Sequence, residues 1–228
     1  MKRNDNIPTE WLISENPVPY LQAIKFMKQR AKDISMGDAK ELVWLLEHSP
    51  LYSAGTSAKD KDLIDPDKFP VFTSGRGGQY TYHGPGQRII YIMLDLTKRG
   101  KDIRAYIKAL EGLIINTLSQ FNIKGKIHEG KVGVWVDRPE KGNNCQDKIA
   151  AIGVRVSRWV SFHGISLNIS PNLSHYDGII PCGISDNGVT SFEDLGHITP
   201  IEQVDVILRQ VFEEKFGTTI NCNLKEIS

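Results

Sequence analysis

Three stretches of this chain place an apolar residue at every third or fourth position, which is the period of an amphipathic helix. They predict helices at residues 20–34, at about residues 102–121, and from Pro200 to a stop at Gly217. The first helix is expected to end before the sequence Met-Gly-Asp at residues 36–38. The last helix has a readable start, because Thr199 and Glu202 have the spacing of a capping box with Pro200 as the first helical residue.

Between these helices, shorter apolar runs bounded by turn residues predict strands. They lie at residues 41–46, 71–73, 88–96, 126–129, 132–136, 149–157 and 161–169. Residues 60–69 are polar and include a proline, which is typical of a solvated connector. Because the helices flank a group of strands and do not alternate with them, the pattern predicts an α+β fold. We expect residues 1–228 to form a single domain.

Composition narrows the classes of function. The chain is 40% hydrophobic and 24% charged, with a formal net charge of +1, which gives no support for a nucleic-acid partner. No apolar run approaches the roughly 20 residues of a membrane span, and the polar amino terminus lacks the apolar stretch of a signal peptide. Three cysteines without CxxC spacing argue against a disulfide framework, so a cytoplasmic chain with free thiols is expected.

The most informative segment is residues 76–87, which read RGGQYTYHGPGQ. Glycine has no Cβ and lets backbone N–H groups approach a ligand closely. An ordinary hairpin needs one or two such residues, whereas this tract interleaves its glycines with Arg, Tyr, Thr, His and Gln. The tract, called the glycine tract below, therefore predicts a binding loop between strands.

Four side chains are candidates for chemistry. Cys182 lies in a Pro-Cys-Gly sequence that can hold a thiol in an exposed turn, and Lys148 opens a segment of small and apolar residues. A lysine beside a cysteine favours the thiolate. His83 and His163 are either bases or structural groups. A zinc site of these two histidines and Cys182 stays open, although no short-spaced pair of ligands supports it.

The chain contains, in this order, the motifs RGGQYTYHGPGQ, KIAAIG, HGISLNIS and PCGI. Together with Leu-Glu-His-Ser-Pro at residues 46–50, they resemble the lipoyl(octanoyl) transferases, the protein octanoyltransferases of lipoate biosynthesis. The resemblance covers roughly residues 46–216. It implies a single α+β domain with mixed and antiparallel sheets flanked by helices, the architecture that this family shares with lipoate and biotin protein ligases.

The resemblance also implies site residues. Cys182 matches the cysteine that carries the acyl thioester, and Lys148 matches the lysine that lowers the pKa of that thiol. Three segments match substrate-binding residues: Arg76, Gly77, Gly78, Gln79, Tyr80, Thr81, Tyr82 and His83; Ala151, Ile152 and Gly153; and Gly164, Ile165 and Ser166. Ser166 stands where the family pattern has alanine, and Ser49 where proline is frequent. Neither departure touches the chemistry.

The implied reaction uses no cofactor or metal. The Cys182 thiolate takes the octanoyl group from octanoyl-acyl carrier protein, and a lysine ε-amine on an apo lipoyl domain then takes it as an amide. The implied acceptors are the E2 subunits of 2-oxoacid dehydrogenases and the glycine cleavage H protein. Two alternatives stay open: an ATP-dependent lipoate or biotin protein ligase on the same scaffold, and a non-catalytic module that binds the carrier.

Two parts of this reaction have several candidates in the sequence. Backbone N–H groups near Gly77 and Gly78, or at Gly153, are candidates for stabilising the oxyanion. Recognition of an acidic carrier by a chain of near-zero net charge requires a local basic patch. Lys98, Arg99, Lys101 and Arg104 form one such patch, although a solvated helix start is the simpler interpretation.

Overall fold

A mixed β-sheet runs through the centre of the structure. The computed structural model describes residues 1–128, 130–180 and 188–222. The helices of this part are α1 (Tyr20–Met36), α2 (Ile103–Ser119) and α3 (Ile201–Phe216). The strands are β1 (Thr9–Ile13), β2 (Leu42–Leu46), β3 (Leu51–Ala54), β4 (Val71–Thr73), β5 (Tyr80–His83), β6 (Gln87–Met93), β7 (Lys126–His128), β8 (Lys131–Asp137), β9 (Gln146–Ser157), β10 (Val160–Asn168), β11 (Gly188–Val189) and β12 (Thr219–Asn221).

The strands of the described residues form two sheets. In the large sheet the order is β12-β1-β2-β6-β10-β9-β8-β7, and β11 pairs with β9. β1 is parallel to β2 and β12, and β11 is parallel to β9, whereas the other neighbours in this sheet are antiparallel. The small sheet has the order β4-β3-β5. The predicted α+β class, with mixed sheets flanked by helices, is confirmed.

All three predicted helices are present, but one of their ends differs from the prediction. α1 stops at Gly37, whose φ of 85° is the left-handed conformation of a helix-terminating glycine. Asp102 caps α2 by accepting a hydrogen bond from Ala105 N at 3.0 Å. The predicted capping box of α3 is wrong. Pro200 has an extended ψ of 140° and precedes the first helical residue, and no side chain caps this end of the helix. None of these helices has an apolar stretch that reaches across a bilayer.

The apolar pattern misses five of the described strands, none of them longer than five residues. Residues 80–83, inside the glycine tract, form β5, and all four are buried. The pattern also misses β1, β3, β11 and β12. The connector at residues 60–69 is not wholly solvated: Asp62 is buried, and its carbonyl accepts a hydrogen bond from Ile180 N at 2.8 Å. Glu129, the predicted end of one strand, lies outside the described residues.

The large sheet separates two apolar layers. Along β6, Ile90 and Ile92 face the layer covered by α2 and α3, whereas Ile89 and Tyr91 face the layer covered by α1. This alternation is the two-residue period of a strand, and every residue of β6 is buried. β6 is therefore a central strand with an apolar layer on each of its faces.

A buried ion pair joins the ends of several elements. Arg99 follows β6, Glu41 precedes β2, and neither side chain is exposed to solvent. Arg99 donates to both carboxylate oxygens of Glu41, at 3.1 and 2.5 Å, and to the carbonyl of Phe216 at the end of α3, at 2.7 Å. The basic patch expected at residues 98–104 is therefore wrong for Arg99, which is an internal structural group.

Arg99→Met is expected to lower the free energy of unfolding by about 3 kcal/mol, because the Glu41 carboxylate then stays buried without its main partner. Arg3, 3.2 Å from Glu41, compensates only in part. Urea unfolding of variant and parent measures the change. Arg104→Met, at an exposed position of α2, is the control and should shift stability by less than about 0.5 kcal/mol. Equal losses in the two variants would contradict this role of Arg99.

Candidate active site

A narrow cavity opens on the α1 side of the large sheet, and its empty space of about 530 Å³ includes volume that is open to solvent. β9 and β10 form one wall, where Ala151 pairs with Ser166 and Gly153 pairs with Gly164. The glycine tract and the first residue of α1, Tyr20, form the others. All the binding residues predicted from the sequence line this cavity, with the exception of Tyr82. The structure thus brings the three predicted segments together.

Tyr82 lies on the other face of β5. Thr81 and His83 line the cavity, whereas the hydroxyl of Tyr82 contacts His175 Nδ1 at 2.8 Å and its ring packs against Tyr176. The alternation of side chains along a strand separates Tyr82 from its neighbours Thr81 and His83. The structure therefore places Tyr82 in the packing behind the cavity wall.

The Arg76 side chain turns inward and holds the glycine tract. Its Nη2 donates to the carbonyl and to Oγ of Ser53, both at 2.7 Å, and to the Gln79 carbonyl at 2.9 Å. Its Nη1 donates to the Gly77 carbonyl at 3.0 Å. These buried contacts show that Arg76 shapes the cavity wall; contact with a substrate remains a prediction.

The two glycines after Arg76, Gly77 and Gly78, differ in backbone conformation. Gly78 has a φ of 88°, which residues with a side chain adopt only under strain. Gly77 lies outside that region, and its N–H donates to the Val154 carbonyl of β9 at 3.1 Å. That N–H is therefore occupied, which removes Gly77 from the oxyanion donors considered from the sequence.

A buried polar chain continues from this loop into the large sheet. His83 Nδ1 lies 2.8 Å from Gln87 Oε1, an acceptor, so Nδ1 carries the proton and Nε2 accepts from Ser53 Oγ at 3.1 Å. Gln87 in turn donates to Asn168 Oδ1 at 2.9 Å. Burial, and then the neighbouring His48 and Arg76, hold the pKa of His83 well below its usual range. His83 is thus a neutral structural group. Because both of its ring nitrogens have protein partners, His83 cannot serve as a ligand in the zinc site of His83, His163 and Cys182 that the sequence left open.

Two further histidines, His48 and His163, are also buried. His48 Nδ1 is 2.6 Å from the Val18 carbonyl and therefore donates, which leaves Nε2 to accept from the Tyr91 hydroxyl at 2.7 Å. Burial lowers the pKa of His48 to about 4. His163, which lines the cavity, is also neutral, because burial and then the charges of Arg76 and Arg155 lower its pKa to about 3.

A β-bulge directs Lys148 away from the core. β9 pairs Ala150 with Val134 and Lys148 with Trp135, so one step along β8 matches two along β9 and Ile149 is the extra residue. Ile149 and Ala150 consequently both enter the core. Bulges of this kind re-aim side chains next to active sites, and here the bulge sends Lys148 to the side opposite Ile149.

Lys148 is buried, in contrast to a solvated lysine at a strand edge. Its Nζ lies 4.5 Å from the centre of the Trp135 ring and donates to the Val132 carbonyl at 3.2 Å. Gly133 makes room for it, since a Cβ there would be 3.3 Å from Lys148 Cε and 2.7 Å from the Ala150 carbonyl. Val132 lines the cavity and Lys148 does not, so the ammonium is held just behind the lining.

Cys182, the predicted nucleophile, lies outside the described residues. The chain on both sides of residues 181–187 is anchored: Ile180 N donates to the Asp62 carbonyl, and β11 pairs with Asp147 and Lys148. The chain that follows residues 181–187 therefore runs beside Lys148. Of the other cysteines, Cys145 is a partly buried free thiol and Cys222 contacts a Glu10 carboxylate oxygen at 3.6 Å, and neither lines the cavity.

Sequence reasoning missed several lining residues: Tyr20, Ile89, Tyr91 and Val132. Tyr20 belongs to the apolar face of α1, and Ile89 and Tyr91 belong to a central strand, so each has the pattern of an ordinary core residue. No local signal marks them, because their position in the cavity depends on how the glycine tract folds over the large sheet.

Comparison with known proteins identifies the family. The model of the lipoyl protein ligase A/B catalytic domain matches residues 19–213. An octanoyltransferase of Bradyrhizobium diazoefficiens is 60% identical over 93% of this chain and 86% of its own length, and one of Caulobacter vibrioides is 58% identical over 95% and 96%. The chain belongs to this family. Within it the chain falls among the lipoyl(octanoyl) transferases and is an enzyme of the acyltransferase class, as the sequence motifs predict.

Solved structures support the fold. A crystal structure of lipoate-protein ligase A bound with ATP matches 96% of this chain and 90% of its own with a TM-score of 0.74 and 14% identity. A biotin protein ligase from Aquifex aeolicus in complex with biotin and ATP matches 92% and 68% with a TM-score of 0.51 and 12% identity. At these identities the likeness concerns the fold alone. The expected architecture shared with lipoate and biotin protein ligases is confirmed.

The adjacent glycines of the tract offer a matched pair of variants. Gly78→Ala is expected to lower the free energy of unfolding by about 1–2 kcal/mol, because alanine must adopt the left-handed φ of 88°. Gly77→Ala should leave stability unchanged or slightly higher, since its Cβ would meet the Val154 carbonyl at an ordinary 3.5 Å. Thermal and urea unfolding measure both. The reverse order of the two losses would refute this account of the loop.

Proposed function

We propose that this enzyme moves an octanoyl group from octanoyl-acyl carrier protein to a lysine of an apo lipoyl domain through a thioester on Cys182. The observation that carries the proposal is the placement of Lys148: a buried ammonium, turned by a bulge, beside the chain that follows residues 181–187. The relatives named octanoyltransferase support octanoyl as the transferred group.

The cavity suits an acyl chain. Its lining includes Ile89, Val132, Ile152 and Ile165, which offer apolar surface to a hydrocarbon. Among the described lining residues Arg76 is the single lysine or arginine, and its guanidinium already donates to four protein oxygens. The lining thus favours a hydrocarbon over a polyphosphate.

Lys148 supplies the positive charge that a cysteine nucleophile needs. An ammonium near a thiol stabilises the thiolate and lowers the thiol pKa. The Trp135 ring and the Val132 carbonyl hold Nζ in place through contacts that are compatible with a charged ammonium. Lys148 can therefore favour thiolate formation at Cys182 and receive or return a proton between the two steps.

In the first step the Cys182 thiolate attacks the thioester carbonyl of the donor, the C–S bond to the carrier breaks, and the carrier leaves as a thiol after taking up a proton. In the second step a lysine amine attacks the new thioester, the amide C–N bond forms, and Cys182 leaves as thiolate while the amine loses a proton. One thioester replaces another in the first step, and the amide is more stable than the thioester, so no ATP is required.

The proposed acceptors are the lipoyl domains of 2-oxoacid dehydrogenase E2 subunits and the glycine cleavage H protein. The proposed location is the cytoplasm, and the reaction is proposed to proceed without a cofactor. The alternative function, an ATP-dependent ligase, is compatible with the family model and with the shared fold of structures about 14% identical, whereas relatives near 60% identity are named octanoyltransferase.

Incubation with octanoyl-acyl carrier protein, without ATP, tests the proposal by intact mass spectrometry. We expect an adduct of about 126 Da, octanoyl replacing hydrogen, that is present in Cys145→Ser and absent in Cys182→Ser. Cys145→Ser is the matched control because Cys145 does not line the cavity. An adduct that survives in Cys182→Ser, or that forms only with ATP and free octanoate, would exclude the thioester route.

Lys148→Met is expected to raise the apparent pKa for alkylation of Cys182 toward about 8.5, because the neighbouring cation is lost. The acyl adduct should form more slowly at neutral pH for the same reason. Iodoacetamide rates against pH measure the shift in parent and variant. Lys108→Met, exposed on α2 across the sheet, should keep the parental profile. Identical profiles for Lys148→Met and the parent would remove Lys148 from the mechanism.

A further inference from the structure

A second groove lies on the α1 side of the large sheet, and it shares no lining residue with the cavity. It runs between α1 and the hairpin end of β9 and β10, and its empty space of about 740 Å³ includes volume that is open to solvent. No aspartate or glutamate is among the described residues that line it. Four cations line this groove, called the basic groove below: Lys28, Lys32, Arg155 and Arg158.

The charges of these four side chains are not neutralised within the described part of the chain. Elsewhere on α1, Arg30 pairs with Glu10. None of the groove cations forms an ion pair with a described carboxylate. Lys28 and Lys32 are four residues apart on one face of a helix, where like charges repel each other. An anion bound between them would offset this repulsion.

The turn that carries Arg158 is strained. Ser157 pairs with Val160, so Arg158 and Trp159 are the two central residues of the hairpin turn, and their φ angles are 50° and 66°. Turns with two positive φ angles favour asparagine and glycine at these positions, and other side chains lower stability there. Strain of this kind is concentrated at functional sites. The turn thus presents a cation to the groove in spite of an unfavourable backbone conformation.

Packing orients Arg155 without using its hydrogen-bond donors. Arg155 pairs across the strands with Phe162, and its guanidinium carbon lies 6.0 Å from the centre of the Phe162 ring. The guanidinium also packs closely against Gly75, where a Cβ would be 1.9 Å from Nη1. Neither contact is a hydrogen bond. An arginine has five N–H donors in a planar fork, so this oriented group can bind an oxyanion.

The four cations suit a phosphoryl group better than a carboxylate. A phosphate monoester carries a charge of about −1.5 to −2 near neutral pH and offers three strong acceptor oxygens. A carboxylate carries a single charge and two oxygens. Guanidinium groups bind phosphate through two parallel N–H groups, and lysines add compact positive charges. Two arginines and two lysines around one groove therefore match the charge and the oxygens of a phosphoryl group.

We propose that the basic groove is a binding site for a phosphoryl group, supplied by a soluble phosphorylated molecule or by a phospholipid headgroup. The site goes beyond the proposed acyl transfer, because none of its four cations lines the cavity. Its test measures binding alone. Failure of acyl transfer would therefore leave the outcome of this test unaffected.

Titration calorimetry with inorganic pyrophosphate, at about 50 mM salt to limit screening, tests the soluble source. Lys28→Met, at an exposed position of α1, is expected to weaken binding about tenfold, the effect of one lost charge-assisted hydrogen bond. Lys108→Met removes the same charge from an exposed position of α2, across the sheet, and should keep the parental affinity. Equal weakening in the two variants would show a general charge effect and overturn the site.

Arg158→Asn separates a role in binding from a role in folding. Asparagine tolerates a φ of 50° and is favoured in this kind of turn, so the Tm is expected to rise by about 2 °C. Affinity for the phosphoryl probe should fall about tenfold in the same variant, because a groove cation is lost. Unchanged affinity together with a higher Tm would contradict the proposal.

Vesicle sedimentation distinguishes the two sources of the phosphoryl group. Phosphatidylglycerol vesicles are the anionic probe, and phosphatidylcholine vesicles, which carry no net charge, are the control. Pyrophosphate binding that Lys28→Met and Arg158→Asn weaken assigns a soluble ligand. Binding to phosphatidylglycerol alone, weakened by the same variants, assigns a lipid headgroup. Absence of binding to both probes would overturn the site, and polyglutamate bound as tightly as either probe would overturn the assignment to a phosphoryl group.

Discussion

The buried hydrogen-bond chain from Arg76 to Asn168 determines how the small sheet meets the large one. Arg76 donates to Ser53, Ser53 to His83, His83 to Gln87, and Gln87 to Asn168. These residues come from the glycine tract and from strands of both sheets. Each member is satisfied only while the others stay in place, and a half-satisfied buried network is costly. The cavity wall is therefore a rigid part of the fold.

A rigid cavity wall also bears on the position of Lys148 relative to the cavity. A positioned nucleophile and cation gain rate only when the substrate is held in a defined pose. The bulge at Ile149 turns Lys148 out of the core, and Gly133 leaves it room against Trp135. The same strand, β9, then contributes Ala151 and Gly153 to the cavity wall. One strand thus relates the cation to the cavity, and a shift in its register would move both together.

The sequence was most informative where local chemistry decides the structure. The apolar periods predicted α1 and α2 well, and the motifs placed almost every predicted binding residue on one cavity. The sequence was least informative where packing between residues far apart in the chain determines whether a side chain is buried. Lys148 has the sequence context of a solvated edge residue, yet it is buried against the ring of Trp135, a residue of the neighbouring strand β8. Arg99 sits in a run of basic residues and is nevertheless internal, because its partner Glu41 is 58 residues away in the chain.

Several polar groups of the glycine tract form hydrogen bonds within the protein. The tract carries the motif that resembles the family, yet the contacts of Arg76, Gly77 and His83 are made mainly to the protein itself. The tract therefore acts first as a scaffold that closes the cavity, and only residues that still have unused polar atoms can contribute to recognition. Tyr20, Gln79 and His163 line the cavity with buried polar atoms that have no hydrogen-bond partner among the described residues, and of these three residues Gln79 belongs to the tract. The residues whose hydrogen bonds shape the cavity wall are thus largely distinct from those that have polar atoms left for its contents.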